Sequence, residues 1–292
     1  MKPEFSHPDI SGRIHLSVPM RKLFFLVFHA LFAASWFLVE SDLLGTLLVW
    51  FLLQFAIHAG YHRYFSHRSF KTHPWFEFLL ACTGALAIQE GPLWWASTHR
   101  HHHRSADTDD DWHSPRHGFW HAHIGWIFQE DFYRINWDLI PDLCRPIPLW
   151  VQRNQDNLRL AYALSVALLF GWPGLLTYWI VPVVLCWHTS FATNSFTHSF
   201  GAQPFACQPH GSCGARNNPV VGILNLGEGW HNNHHANPSY AHHGFYKWYE
   251  LDISYAVLFL LEKLGIVWDV KRRTKRPDEF WSAPLGLRLG AA

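Results

Sequence analysis

Histidine is the residue type best able to do chemistry in this chain. The 292 residues include 23 histidines, as many as all lysines and arginines together. An H-x-x-H-H pattern places three imidazoles on one face of a helix, because residues three and four positions apart are neighbours there. Imidazole is a common ligand of zinc, copper, iron and nickel. Three clusters have the spacing of metal ligands: His62 and His67; His99, His102 and His103; His231, His234 and His235.

The number of candidate ligands predicts two metal ions. His198, four residues after Asn194, is a candidate ninth ligand beside the eight histidines of the clusters. A protein zinc site uses three or four protein ligands, so nine suit two ions. His62 and His67 are about 140° apart around an α-helix, which favours separate metals for this pair over a helix end. Metal-bound imidazoles usually donate their second N–H to an acceptor; the candidate acceptors are Glu228 and the acidic run Asp107, Asp109, Asp110 and Asp111.

The composition argues against several other kinds of protein. A net charge of +1 gives no bias towards nucleic acid. The five cysteines include no C-x-x-C pair, so we expect neither a disulfide framework nor a zinc ribbon, and a reducing, cytosol-facing location. The first 22 residues lack the apolar core of a signal peptide. Charged residues reach only 15%, well under the usual quarter, which indicates a surface that partly faces something other than water.

Four apolar segments predict a membrane base for the histidines. Residues 23–39 and 43–57 are separated by three residues, and with their flanks each approaches the ~20 residues that span hydrocarbon. Residues 158–170 and 175–187 flank the turn signal Gly-Trp-Pro-Gly at 171–174. We therefore expect transmembrane hairpins at 23–57 and 158–195. Between and after them lie a histidine region at 58–135, a C-terminal histidine region and cap at 196–270, and a tail at 271–292.

The positions of lysine and arginine predict the orientation of these hairpins. Neither short connector, 40–42 or 171–174, contains a lysine or arginine, and these residues favour the cytoplasmic side. Both termini and all histidine clusters should therefore face the cytoplasm, in a bacterial inner membrane rather than the endoplasmic reticulum. Residues 75–88 carry Glu77 and separate two histidine clusters, so we expect this stretch to be interfacial or re-entrant.

These patterns together predict the fold class. The expected fold is an all-α integral membrane protein, with four transmembrane helices in two hairpins and a cytoplasmic helical cap that holds a histidine-rich site for two metals. It forms a single domain over residues 1–292. The alternative is a large soluble helical protein with buried hairpins.

The histidine clusters resemble the sequence motifs of a known family. The segments His62-Arg-Tyr-Phe-Ser-His67, His99-Arg-His-His-His103 and Leu226-Gly-Glu-Gly-Trp-His231-Asn-Asn-His-His235 are similar to the three histidine boxes of membrane fatty acid desaturases, in the Δ9, stearoyl-CoA desaturase-like branch. The resemblance extends from about residue 43 to Trp268. It implies two irons, and by position the ligands would be His62, His67, His99, His102, His103, His198, His231, His234 and His235, with Asn194 reaching the metal through water.

The activity implied by this resemblance agrees with the chemistry of the candidate ligands. Alkane C–H bonds are not acidic, so removing hydrogen from a CH₂–CH₂ pair requires an oxidant made from O₂ at a redox metal, and zinc has no redox chemistry. The resemblance implies an iron- and O₂-dependent acyl desaturase that places a cis double bond, expected at position 9, in a long saturated acyl chain. A di-iron acyl or alkane hydroxylase on the same scaffold and a non-enzymatic metal transporter or receptor are the alternatives.

The acyl carrier and the electron donor stay open. Where the acyl-CoA branch has basic residues for the CoA phosphates, this chain has Ser97 and the stretch Ile-Phe-Gln-Glu-Asp at 127–131. Acidic residues repel a nucleotide phosphate, so an acyl chain in a membrane lipid or on acyl carrier protein competes with a CoA thioester. The chain ends 24 residues after Trp268, so we expect a separate electron donor of the ferredoxin, rubredoxin or cytochrome b5 type.

One face of the second apolar segment is a candidate wall of the substrate channel. This face runs back from His62 in four-residue steps to Trp50 and Thr46. A bulky Trp50 at the far end would limit the length of the acyl chain. Packing or lipid contact is the alternative role for this tryptophan.

Overall fold

Helices dominate the computed structural model, which describes residues 13–40, 42–207 and 213–273. The longest π-helix, Ala56–Ser66, continues the α-helix Leu43–Phe55, and a shorter one, Leu176–Ile180, precedes the α-helix Val181–Ser195. Short 3₁₀ turns and one antiparallel strand pair, β1 (Lys71–Thr72) and β2 (Val267–Trp268), complete the described part. The α-helices are α1 (Val18–Leu38), α2 (Leu43–Phe55), α3 (Pro74–Leu86), α4 (Pro92–Ser105), α5 (Phe119–His123), α6 (Pro146–Leu175), α7 (Val181–Ser195), α8 (Pro219–Leu224), α9 (His231–Ala236) and α10 (Ile253–Lys263).

Three helical segments of the described chain are long and apolar enough to cross a membrane. They are Val18–Leu38, Leu43–Ser66 and Pro146–Ser195. Their outer faces carry large apolar side chains with little cover: Phe37 is 90% exposed, Leu44 80% and Leu168 86%. Soluble monomers rarely expose contiguous apolar surface of this kind. The helical body is therefore that of a membrane protein.

The third of these segments folds back on itself at Gly171. Gly171 adopts φ 68° and ψ −166°, a left-handed conformation that glycine reaches without a steric penalty. On either side of this break, the Tyr162 hydroxyl donates to the Tyr178 carbonyl oxygen at 2.9 Å. In a straight helix these residues would lie about 24 Å apart. The turn predicted at 171–174 is therefore present, and it places α6 antiparallel to α7.

α6 begins at Pro146, twelve residues before the expected start of the hairpin at 158. Its first turns are polar because they contact the N-terminus of α4 rather than lipid. The side-chain oxygen of Gln152 accepts hydrogen bonds from the backbone N–H groups of Leu93 and Trp94, at 2.9 and 3.0 Å. Free N–H groups at the start of a helix need such acceptors. The polar extension of α6 thus fixes the helix that carries the second histidine cluster.

α3 corresponds to the apolar stretch at 75–88. It spans 13 residues, fewer than the ~20 needed to cross hydrocarbon, and it packs against α6 and the π-helix. Its length agrees with the prediction that this stretch does not cross the membrane. The histidine clusters before and after it therefore lie on the same side of the structure.

Three histidines outside the candidate clusters link α1, α5 and α7. His29 Nε2 and His188 Nε2 are 2.8 Å apart, and His188 Nδ1 is 3.1 Å from His123 Nε2. His123 Nδ1 in turn lies 2.9 Å from the Ser195 hydroxyl oxygen. His188 and His123 each use both ring nitrogens in these contacts, so α1, α5 and α7 share one continuous set of hydrogen bonds.

Replacing the central member of this chain should destabilise the protein. In His188→Leu, the facing nitrogens of His29 and His123 lose their partners, and an unpaired buried polar group costs about 1–3 kcal/mol. We expect a lower melting temperature in detergent for His188→Leu. His117→Leu, at an exposed position, is the control and should melt like the wild type. Equal melting temperatures for both variants would show that the chain does not contribute to stability.

Candidate metal centre

The structure brings the nine histidines predicted as ligands into two adjacent groups. Within each group the candidate ligand atoms all lie within 4.8 Å of one another. The ligands come from the end of the π-helix, from α4, from the turn after α7 and from α9. The five-histidine group is His62, His67, His99, His103 and His234, and the four-histidine group is His102, His198, His231 and His235.

The imidazoles in both groups face one another through their Nε2 atoms. His62 and His103 place Nε2 at 3.0 and 2.9 Å from Nε2 of His234. His235 Nε2 lies 3.1 Å from Nε2 of His231 and 3.3 Å from that of His102. The Nε2 atom of His198 is buried and has no hydrogen-bond partner. Converging nitrogen lone pairs on buried and partly buried side chains fit bound cations, so these residues suit two metals.

The π-helix decides where His62 and His67 point. Its backbone hydrogen bonds join residues five apart, including His67 N–H to the His62 carbonyl oxygen at 3.1 Å. Residues five apart therefore lie on one face, and both imidazoles belong to the five-histidine group. The expectation of separate metals for this pair was wrong, because it assumed 3.6 residues per turn.

Carboxylates hold the outer nitrogens of three candidate ligands. Glu228 lies 2.7 Å from Nδ1 of His62, and Asp111 and Asp107 lie 3.0 Å from Nδ1 of His102 and His198. These are acceptors that the sequence suggested. Burial alone would raise the pKa of Glu228, but the nearby His243, His62 and Arg63 hold it well below its usual value. The carboxylates stay ionised, so each fixes a tautomer with Nδ1 protonated and Nε2 free for a metal.

Two buried charged residues behind Glu228 were missed by the sequence analysis. Arg63 Nη2 lies 3.0 Å from both Glu228 and Asp252, and the side chains of Arg63 and Asp252 are fully buried. Asp252 also accepts a hydrogen bond from the backbone N–H of His243 at 2.7 Å. The sequence carries one signal for this pair of charges: Arg63 directly follows the candidate ligand His62, inside a helix with an otherwise apolar environment.

An apolar cavity of about 570 Å³ leads to the histidines. This volume lies within the usual range for small-molecule sites. His99 and Asn194 lie on its wall, so its inner part adjoins the metal groups. A large part of the lining is aromatic and includes Phe24, Phe25, Trp94, Trp95, Trp126, Trp179, Trp187 and Phe191.

Charged side chains cluster at another part of the same cavity. Glu90 lies just before α4, whose first residue, Pro92, is about 10 Å along the helix axis from His99. Glu90 accepts from Arg13 at 2.6 Å and from Gln155 at 2.8 Å. The other charged residues on the cavity wall are Arg21, Asp156 and Arg159. The cavity thus joins a polar region to the histidine groups through an apolar interior.

A family profile described as fatty acid desaturase matches residues 35–255 of the chain. The chain belongs to the fatty acid desaturase family. It is 40% identical over 252 residues to the sn-2 palmitoyl-lipid 9-desaturase of Nostoc sp. (strain 36), covering 84% of this chain and 87% of that protein. It is 37% identical over 268 residues to the sn-1 stearoyl-lipid 9-desaturase of Anabaena variabilis, covering 87% and 94%. It is also 34% identical over 263 residues to the icosanoyl-CoA 5-desaturase of Limnanthes douglasii, covering 86% and 71%.

Family membership makes the chain a fatty acyl desaturase, an oxidoreductase of lipid metabolism. The histidine groups of this desaturase have ligand atoms close enough together to hold metal ions, and the cavity beside them has the apolar character that an acyl chain requires. The expected class of activity is confirmed.

The desaturase places the two predicted channel residues away from the main cavity. The Thr46 hydroxyl donates to the Thr177 carbonyl oxygen at 3.1 Å, and Trp50 packs against the central apolar core. Neither lines the cavity. They lie on the seam between α2 and the helical segment that contains α7. Closer to the metal groups on the same face, Gln54 lies 3.3 Å from the hydroxyl oxygen of Ser190, which does line the cavity.

The desaturase also differs from the expectation about its cysteines. Cys207 and Cys213 form a single disulfide that the expectation of no disulfide framework did not include, whereas Cys82, Cys144 and Cys186 are free. A spacing of six residues matches no common cysteine motif. Only the approach of the segments that end at 207 and begin at 213 shows the pairing.

The buried histidines predict how stability depends on pH. Burial, followed by the charges of neighbouring histidines, holds the pKa of His99, His103, His231, His234 and His235 well below 6.5. Below pH 6.5 the unfolded chain therefore binds more protons than the folded chain, and stability falls as the pH falls. Metal binding changes in the same direction because it requires neutral imidazole. We expect a constant melting temperature above about pH 7.5 and a steep decrease below about pH 6.5.

The carboxylates do not account for a change in this range. The pKa values of Glu228 and Asp111 are lowered in the folded protein, despite burial, by the histidines that face them. Their contribution is complete above their unfolded values and is lost only at lower pH, below about 4.5. A melting temperature that stays constant from pH 7.5 to 5 would contradict the prediction.

Proposed function

We propose that this desaturase inserts a cis double bond at position 9 of a long saturated acyl chain esterified in a membrane lipid, using O₂ and two iron ions. The main observation is the pair of histidine groups beside a long apolar cavity. The names of two relatives, sn-2 palmitoyl-lipid and sn-1 stearoyl-lipid 9-desaturase, support both the position and the lipid-linked substrate.

Iron is the metal that suits both the ligands and the reaction. Imidazole binds iron, copper and zinc alike, but only a redox metal can use O₂ to remove hydrogen from unactivated CH₂ groups, which is what bound iron would supply. His62, His67, His99, His103 and His234 would hold one ion. The second would be held by His102, His198, His231 and His235, with Asn194, one helical turn before His198, contributing through water.

The cavity would position the acyl chain and keep water out. Its aromatic walls bury the methylenes, and the contact with His99 and Asn194 brings one part of the chain next to the metals. Buried apolar surface is worth about 25 cal/mol per Å², so most of the binding energy comes from the chain itself. The protein therefore selects the position of the double bond by the depth at which the carboxyl end is held.

The charged region of the cavity favours a lipid ester over a CoA thioester. Arg21 and Tyr133 also line a shallower depression together with Glu130 and Asp131. Positive and negative side chains are mixed there, whereas the several phosphates of CoA need a positive site. An uncharged glycerol ester meets no such repulsion. Acyl-CoA and acyl carrier protein are the competing carriers that the experiment must separate.

The arrangement of the helices supports four spans with the metal centre on the cytoplasmic side. α1 and α2 with its π-helix would form one hairpin, and α6 and α7, which reverse at Gly171, the other. The connectors at 40–42 and 171–174 lack lysine and arginine, which favours a position outside the cytoplasm for both. The site would then face the bacterial cytoplasm, where a separate ferredoxin, rubredoxin or cytochrome b5 supplies electrons.

Expression in a host without unsaturated fatty acids tests the activity. We expect a new cis double bond at position 9 of lipid-bound chains, located by mass spectrometry, and no product from His103→Ala or His235→Ala. His101→Ala, next to the candidate ligands but with its Nε2 atom 2.8 Å from the Asp110 carbonyl oxygen, should keep most of the activity. A hydroxylated product, or unsaturation confined to CoA or acyl carrier protein thioesters, would contradict the proposal.

Trp50→Ala tests the end of the substrate channel. Trp50 lies on the α2 face between Gln54, next to the cavity residue Ser190, and Thr46, at the seam with Thr177. If the acyl chain follows this seam, removing the indole should increase the proportion of longer products by several-fold. Trp36→Ala removes a tryptophan that is 73% exposed and should leave the product lengths unchanged. An unchanged profile for Trp50→Ala would show that this tryptophan only packs.

A further inference from the structure

The disulfide between Cys207 and Cys213 lies in a segment packed against the metal centre. Ala202 and Asn217 close the base of this segment through two backbone hydrogen bonds of 3.0 and 2.7 Å. Both cysteines are buried, with 1% and 7% exposure, and the Gln203 side chain donates to the Cys213 carbonyl oxygen at 2.8 Å. The disulfide is therefore part of the interior that surrounds the histidines.

Two neighbouring residues of this segment contact the outer side of the four-histidine group. Cys213 Sγ lies 3.6 Å from Nδ1 of His235, the nitrogen opposite the one that faces the other ligands. The next residue, Gly214, donates its backbone N–H to Asp107. That carboxylate is 3.0 Å from Nδ1 of His198. The position of Cys213 and Gly214 therefore affects two of the four histidines.

The five-histidine group has different outer contacts. Glu228 supports His62, and Arg63 and Asp252 support Glu228. Among the described residues, none of these contacts involves Cys207 or Cys213. A change in the cysteine pair should therefore affect one metal more than the other.

We propose that Cys207 and Cys213 are a redox-controlled pair that sets how tightly the four-histidine group holds its metal. In the oxidised state the disulfide ties residue 207 to residue 213 and keeps Sγ against His235 and the Gly214 N–H against Asp107. In the reduced state the covalent bond to Cys207 is lost. Cys213 is then held by the hydrogen bond from Gln203 and by the backbone hydrogen bonds between Ala202 and Asn217. Disulfides in a reducing compartment are usually transient and redox-sensing.

The chemistry of the pair is balanced with common cellular reagents. Hydrogen peroxide oxidises the two thiols to the disulfide, taking two electrons and two protons and yielding two water molecules. A protein dithiol reverses the step: its thiolate attacks one cysteine sulfur, the bond between Cys207 and Cys213 breaks, and the reductant leaves as its own disulfide. Outer contacts of this kind typically change metal affinity by about 10–100-fold.

The release of iron from the full-length, iron-loaded protein tests the proposal, which rests on the metal centre proposed above. The protein is held anaerobically in detergent with ascorbate, which keeps iron ferrous without cleaving disulfides, and ferrozine reports released iron by its colour. In one arm a water-soluble phosphine reduces the disulfide, consuming one water and forming the phosphine oxide. We expect release of about half the iron to become roughly tenfold faster in that arm.

Cysteine variants separate this effect from general damage. Cys207→Ala breaks the disulfide but leaves Sγ of Cys213 beside His235, and it should release iron rapidly with or without phosphine. Cys144→Ser replaces a free, partly buried cysteine and should respond to phosphine like the wild type. Mass spectrometry after alkylation of the unfolded protein should find three free thiols before reduction and five afterwards.

Several results would overturn the role of the pair. One is a rate of iron release that does not change after all five thiols have formed. The others are slow iron release from Cys207→Ala, and five free thiols before any reductant is added. Loss of both irons at the same increased rate would show a general loosening and would also overturn it. The iron content before ferrozine is added tests the metal centre separately, because a value far below two per chain contradicts the centre itself.

Discussion

The rest of the structure depends on holding nine imidazoles, six of them buried and three partly buried, with their Nε2 atoms directed at one another. Neutral imidazoles whose Nε2 lone pairs face one another repel at such distances, and protonation is suppressed because burial lowers the pKa of most of these histidines. A cation between the lone pairs would relieve this repulsion, so the arrangement suits a metal site. The helices, the outer carboxylates and the packed core all serve to keep these nitrogens in place.

The carboxylates that contact the outer nitrogens of the histidines have two effects. Glu228, Asp111 and Asp107 accept from Nδ1 and so leave Nε2 free. As anions, they also compensate the charge that a metal would bring into the interior. Buried charges are costly unless they are paired, which explains why Arg63 and Asp252 lie behind Glu228. The five-histidine group is thus supported by Glu228 with Arg63 and Asp252, whereas the four-histidine group is supported by Asp111 and Asp107 and also contacts the segment that contains the disulfide.

The same core joins the metal centre to the membrane helices. Leu53 and Ile57 from the α2 region, Trp94 from α4 and Trp187 from α7 belong to one apolar cluster. The cavity lies within this cluster and touches both His99 and Trp179. The cavity therefore offers an apolar path between the membrane helices and the histidine groups. This continuity explains why a desaturase builds its site where the spans end and not in a separate soluble domain.

Local patterns in the sequence were sufficient to predict the candidate ligands and the helices. The H-x-x-H-H spacing of His99 to His103 and of His231 to His235 uses the geometry of one helix, so it identifies candidate ligands without a fold. The Gly-Trp-Pro-Gly turn at 171–174 depends only on local backbone preferences, and it appears where expected. The predicted membrane segments likewise follow from the amino-acid composition of each stretch alone.

Only the tertiary structure decided how these parts combine. The division of the histidines into five and four depends on a π-helix, whose wider turn brings His62 and His67 onto one face. The start of α6 at Pro146 depends on the N-terminus of α4, where Gln152 satisfies free N–H groups. The Cys207–Cys213 pair and the Arg63–Asp252 contact join residues whose approach no local spacing encodes. The sequence thus determined which atoms can bind metal. Packing between distant segments determined which of these atoms lie in the same histidine group.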